Sequence, residues 1–183
     1  MDWTEQLLLQ LDWYWTAMFR PRLEGMTDEE YLWEPVEGCW SIHRAEDGRM
    51  VMDGFWPPPD PPPVTTIAWR LGHISLEILA ARVAFHFDGG REPTQAEMDL
   101  PASAGEAIAR MEEHYDAWRD GIRGLDAEAL AAPMGEPGPF RDDPMAGLVL
   151  HNDREIFHHA AEVALLRDLY RASDGGRRWR TAG

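Results

Sequence analysis

The residues best suited to chemistry gather near the C-terminal end of the chain, where His151, Glu155 and His159 stand at steps of four and Glu162 follows. In a helix a step of four advances about 400°, so side chains at that spacing lie about 40° apart on one face. Imidazole and carboxylate are the groups that a zinc-like divalent ion accepts. Downstream the same stripe turns apolar at Val163, Leu166, Leu169 and Tyr170, so the ligand face is also the core face. One helix cannot close a three-ligand site with good geometry. A further ligand must come from another element, and His73 is the candidate. His158, about 60° from Glu155 on the other side, competes for the same role. His151 fits the stripe as a group behind the ligands, as a proton shuttle or as a packing residue. Glu162 can orient His159 by accepting a hydrogen bond.

These residues also have bland readings. A His on an apolar face is often a satisfied core histidine, and Glu155 with His159 could be an exposed i,i+4 pair. Trp69, His73 and Glu77 again stand at steps of four, and Trp69 suits a core or pocket wall better than chemistry. Arg154 and Arg167 read as surface ion pairs, Cys39 as a partly buried structural thiol, and His86 and His114 as surface residues. His43, in a long loop, is a weak ligand candidate.

The elements that must position this set read as helices. The first runs from about Thr4 to Phe19 on Leu7, Leu8, Leu11, Trp15 and Phe19, with Pro21 marking its end. Thr27-Asp28-Glu29-Glu30 is a capping-box pattern for a short helix over Glu29 to Trp33. From Glu34 to Val64 the chain reads as irregular, with a polyproline-like run at Pro57 to Pro63. Trp40, Ile42, Val51, Phe55 and Trp56 make it too apolar for a free linker, so it should wrap the body. Thr65 or Thr66 caps a second long helix reaching about Phe87, and Gly72 allows a neighbouring helix to approach closely. A third helix begins near Pro101 to Ser103 and reaches Gly121 or Leu125, and Ala127 to Ala132 is a short helical turn. After a Gly- and Pro-rich loop, Asp142 or Asp143 caps the last helix, with Pro144 in its first turn. That helix covers Met145 to Tyr170, roughly 40 Å at 1.5 Å per residue. Arg177, Arg178 and Arg180 form a basic tail. No strand pattern competes. The expectation is an all-α, single-domain four-helix bundle over residues 1–183, with a long irregular Trp- and Pro-rich loop between helices one and two.

Composition narrows the function classes. With 33 acidic and 17 basic residues among 183, the formal charge is −16. That argues against nucleic acid, whose phosphates need basic patches, and against anionic membrane surfaces. The single cysteine excludes an intramolecular disulfide and a cysteine-based zinc site. The acidic N-terminus lacks the basic start of a signal peptide, and no apolar run approaches the roughly 18 residues that span a bilayer. A cytoplasmic protein is the expectation.

Three separated motifs then carry a resemblance. The segment Thr65-Thr66-Ile67-Ala68-Trp69-Arg70-Leu71-Gly72-His73-Ile74 resembles the second-helix signature of the DinB superfamily. Glu155-Ile156-Phe157-His158-His159-Ala160-Ala161-Glu162-Val163-Ala164-Leu165-Leu166-Arg167 resembles its last-helix signature. The stretch from Leu23 to Pro35 is similar to the actinobacterial branch. The resemblance implies a four-helix bundle that binds a divalent metal through His73, Glu155 and His159. Glu at the first position of the last-helix pair is similar to the branch that includes mycothiol-dependent maleylpyruvate isomerase. It implies zinc, with nickel, iron or manganese as alternatives, and a thiol S-transferase or isomerase. Such an enzyme would use a low-molecular-weight thiol such as mycothiol and a second, electrophilic substrate. Two other readings stand beside it: a metal-dependent hydrolase, and a non-catalytic module with a metal-stabilised ligand cleft. Nine tryptophans exceed what one core easily hides, and with the family's habit of pairing they suggest a homodimer.

Overall fold

A computed structural model of the chain describes residues 1–54, 57–91, 94, 97, 100–175 and 177. Asp2 opens α1 (Trp3–Tyr14), its carboxylate accepting from the Glu5 N–H at 3.2 Å. This satisfies a donor that the first turn leaves over. Leu7, Leu11, Trp15 and Phe19 follow at steps of four, all buried. The helix does not stop before Pro21. It passes through a π-helical turn (Trp15–Phe19), where the Arg20 N–H donates to the Trp15 carbonyl, and continues as α2 (Arg20–Leu23) with Pro21 in its first turn. Proline has no N–H to give and crowds the carbonyl four residues back. The widened turn just before it accommodates both effects.

Thr27 caps α3 (Asp28–Tyr31), its hydroxyl accepting from the Glu30 N–H at 3.2 Å. The Glu30 carboxylate does not close the capping box. It receives Arg167 Nε at 2.7 Å, and the two side chains are 4% and 1% exposed. Arg167 is therefore a buried tie and not the surface ion pair its charge suggested.

The stretch expected to be irregular contains an antiparallel hairpin, β1 (Ile42–Arg44) and β2 (Met50–Met52), paired Ile42 to Met52. Three-residue strands show too little alternation to stand out in a sequence. The buried Ile42 and Met52 face Gly72, where an added Cβ would stand 2.8 Å from Ile42 Cδ1. Gly72 thus admits the hairpin, not a neighbouring helix. The Trp40 N–H donates to the Val64 carbonyl at 3.0 Å and the Thr66 N–H to the Trp40 carbonyl at 2.9 Å. These bonds tie the loop to the start of the next helix, so it does wrap the body. Phe55 and Trp56 lie outside the described residues, as do Arg178 and Arg180 of the basic tail.

Thr66 caps α4 (Ile67–Gly72) by accepting from the Trp69 N–H at 3.2 Å. The helix widens into a π-helical stretch (His73–Ala80) and returns to α5 (Ala81–His86). Ser103 caps α6 (Ala104–Arg123), whose buried stripe is Ala107, Met111, Tyr115, Trp118 and Ile122. A short α7 (Ala127–Ala131) precedes α8 (Met145–Ala172). Pro144 occupies the cap position of α8, and no side chain caps it. Asp143 is engaged elsewhere: its carbonyl accepts from the Met134 N–H at 2.9 Å and its N–H donates to the Phe140 carbonyl at 2.9 Å.

The α1 helix packs on α6 and α8, and so do α4 and its π-helical continuation. Between them lies one core, including Leu11, Leu71, Met111, Trp118, Ile156 and Val163. Trp15 stacks on Tyr115 with ring centres 4.1 Å apart. The two histidines expected at the surface are both engaged. His86 Nε2 lies 2.6 Å from Glu136 Oε1 with its side chain 7% exposed, and His114 Nδ1 lies 2.8 Å from Ser75 Oγ. The fold is mostly helical, and among the described residues no helix is long and apolar enough to cross a membrane.

Candidate metal centre

The π-helical stretch begins at His73, and π-turns recur at functional sites because the extra residue re-aims the side chains around it. Across from it, α8 carries Glu155 and His159 one turn apart. The ligand atoms of His73, Glu155 and His159 all lie within 4.8 Å of one another, and all three residues are partly buried. Among the described residues no fourth ligand-bearing side chain joins the set at that mutual distance.

Each imidazole is held from behind by a carboxylate. His73 Nδ1 lies 2.7 Å from Glu77 Oε2, and His159 Nδ1 lies 2.6 Å from Glu162 Oε2. Arg70 Nη1 reaches both Glu162 and, at 3.1 Å, His159 Nδ1. Only one of the two can be the partner of that nitrogen. The shorter contact to a carboxylate makes Nδ1 the donor to Glu162, while Arg70 donates to Glu162. Both rings then carry their proton on Nδ1 and keep the Nε2 lone pair free for a ligand bond, and His159 Nε2 stands 3.6 Å from Glu155 Oε2. Burial, opposed by the bond to Glu162, holds the His159 pKa below its ordinary value, and the neighbouring His73 and Arg70 lower it further. The neutral ring that a metal requires is therefore the favoured form.

The other expected site residues fall around this set. Trp69 stacks on His73 with ring centres 5.1 Å apart and planes 14° apart, and its Nε1 donates to the Asp53 carbonyl at 2.7 Å. The loop that carries the hairpin therefore fixes the wall that fixes His73. His151 Nδ1 stands 3.7 Å from Glu155 and accepts from Arg154 at 2.7 Å. His158 forms a second, overlapping group with His159 and Glu162. Its side chain is 64% exposed, and its Nε2 lies 3.3 Å from Glu162 Oε1 while His159 Nδ1 takes Oε2. His43 sits away from the centre, beside Asp53 at 3.6 Å.

Two residues of the site had no role in the sequence reading. Glu77 carries the same i,i+4 signal with His73 that Glu155 carries with His159, and could have been found. Arg70 acts across the gap between α4 and α8, so no spacing within one helix reveals it.

The geometry is that of two oriented imidazoles and one carboxylate, which could hold a divalent ion and leave part of its coordination open. No curated protein and no solved structure matches the chain. A family model described as the DinB superfamily matches residues 10–163, a span that includes His73, Glu155, His159 and their supporting carboxylates. The chain belongs to the DinB superfamily.

Proposed function

We propose that His73, Glu155 and His159 bind a divalent metal, zinc first among candidates, and that the protein is a metal-dependent thiol S-transferase or isomerase. The thiol is of low molecular weight, mycothiol being the first choice, and the second reactant is a small electrophile. The observation that carries the metal reading is the pair of Nδ1–carboxylate bonds, which leave Nε2 of each ring as the free ligand atom in a set that clusters with Glu155 within 4.8 Å. The three-ligand set supports a catalytic over a purely structural metal, because a structural site closes its fourth position. A divalent ion held by His73, Glu155 and His159 would supply the charge that lowers the pKa of a thiol in an open position, so that the thiolate would be available near neutral pH.

The chain's own groups do the positioning. Glu77 and Glu162 fix the two rings, Arg70 holds Glu162, and Trp69 packs flat on His73. His151, beside Glu155, is the group placed to relay a proton between solvent and the centre. In this reading the four long helical segments are a four-helix bundle in one domain, of the branch that includes mycothiol-dependent maleylpyruvate isomerase. The protein acts on small molecules in the cytoplasm.

Metal analysis of the purified protein is the first test. His73→Ala, Glu155→Ala and His159→Ala should each lose metal, and His43→Ala should keep it. Titration of the cobalt-substituted protein with mycothiol should then produce an intense near-ultraviolet sulfur-to-cobalt band. Protein with all three residues intact that takes up no divalent metal refutes the site. A fully metallated protein whose spectrum no thiol changes refutes the transferase and leaves the hydrolase and the non-catalytic, metal-stabilised binding module.

A further inference from the structure

Along α8, one turn before Glu155, a cavity opens, with a volume of about 610 Å³. Its roof is the Met134–Asp143 loop, its floor the first turns of α8 as far as Arg154, and one wall is Arg82. The roof is a built structure. The Gly135 N–H donates to the Arg141 carbonyl at 3.0 Å, closing the loop on itself. Glu136 then latches it down, one carboxylate oxygen 2.6 Å from His86 Nε2 and the other 2.9 Å from Arg82 Nη1.

The lining is unusual for a chain of formal charge −16. Three arginines face the cavity against two carboxylates, Glu136 and Asp143, and Glu136 is occupied by Arg82 and His86. The Arg141 side chain makes no ion pair among the described residues. Arg154 donates to the imidazole of His151, and its nearest carboxylate oxygen, on Glu155, is 4.0 Å away. Two cations are thus weakly neutralised at the edge of one cavity. The uncapped first turn of α8, without an acidic residue, adds its positive end. The rest of the lining is apolar: Met134, Leu148 and Phe140, a ring left 65% exposed. Cations beside an apolar wall suit an anion with an apolar body, and the volume lies in the range of small-molecule sites.

We propose that this cavity is a subsite for a small organic acid, its carboxylate between Arg141 and Arg154 and its apolar body against Phe140, Met134 and Leu148. His151 lines the cavity and touches Glu155, so the acid lies next to the candidate metal centre. That it is the electrophilic reactant rests on the metal-dependent reading above. That it binds does not.

The test uses chelator-treated protein at low salt and calorimetric titration with 4-phenylbutanoate, its neutral amide, and inorganic phosphate. The acid should bind at least about tenfold more tightly than the amide, since charge-assisted bonds to arginine distinguish them. Arg141→Met with Arg154→Met should bring the acid down to the amide's affinity. Both side chains are exposed, so the variant should melt like the parent. Phe140→Ala should weaken acid and amide by a similar factor. Phosphate at equal concentration should not displace the acid. Equal affinity for acid and amide, binding by neither, full acid affinity in the double variant, or displacement by phosphate overturns the proposal. Acid binding that appears only when metal is restored overturns it too, while leaving the metal centre intact. A protein that binds the acid but never a metal keeps the subsite and loses the metal reading.

Discussion

At the scale of residues, two carboxylates decide which nitrogen of each histidine meets the centre. Without them either tautomer is available to a neutral ring, and half of the arrangement is lost. Removing such a partner typically weakens metal binding by about 10–100-fold. Glu77→Ala and Glu162→Ala should each weaken zinc binding by about that range, read by competition with a coloured chelator. Glu162→Ala should be the more severe. It also releases Arg70, a partly buried cation, beside His159. Adding Arg70→Met to Glu162→Ala should then recover part of the loss. Unchanged zinc affinity in both single variants would mean that the rings are oriented by something else. The role of Glu162 was legible in the sequence because it shares a helix with His159 at a spacing of three. That of Arg70 was not, because its partners are 89 and 92 residues away.

At the scale of elements, the sequence showed where the long helices lie but not how they bend. Apolar periodicity marks a face equally well in an α-helix and through one widened turn. The π-helical stretch starting at His73 and the turn that lets the chain run through Pro21 were therefore invisible. The hairpin was hidden by its three-residue strands, and it matters because it seats on Gly72 and holds Trp69. The end of α8 shows the same limit. Arg167 sits on a helix with many charges, yet it enters the core and binds Glu30, whose helix the capping pattern did predict. Breaking a buried ion pair from one side typically costs about 3–5 kcal/mol, and here Glu30 keeps only the longer contact to Arg171 Nε, at 3.9 Å. Arg167→Ala should cost stability in that range in urea unfolding, with an unchanged slope. Replacing both partners, as Arg167→Met with Glu30→Leu, should cost much less. An Arg167→Ala variant as stable as the parent would show that the pair contributes only geometry.

At the scale of the whole molecule, acidity and exposed apolar surface pull in opposite directions. Trp13 and Leu9 on α1 are 58% and 55% exposed, and Leu150 and Leu165 on α8 are 56% and 58% exposed. The two helices are neighbours, and a groove lined by Leu7, Leu150 and Phe157 runs between them. Scattered apolar residues need no partner, but four large ones on two adjacent helices are the kind of surface that an interface covers. Of the tryptophans behind the expected homodimer this face carries Trp13, while Trp15, Trp33 and Trp118 are buried in the core. We predict a homodimer through this face. Two copies each carrying a formal −16 repel at contact, and salt screens that repulsion over about 10 Å at 0.1 M. Burial of apolar area, by contrast, does not weaken with salt in this range. The dimer should therefore tighten as salt rises from about 0.05 to 0.5 M, read by sedimentation equilibrium, and Trp13→Glu with Leu150→Glu should leave a folded monomer at every salt concentration. A monomeric parent at micromolar concentration in high salt would sink the prediction. A dimer that dissociates as salt rises would show that ion pairs hold it together, and would place the interface elsewhere.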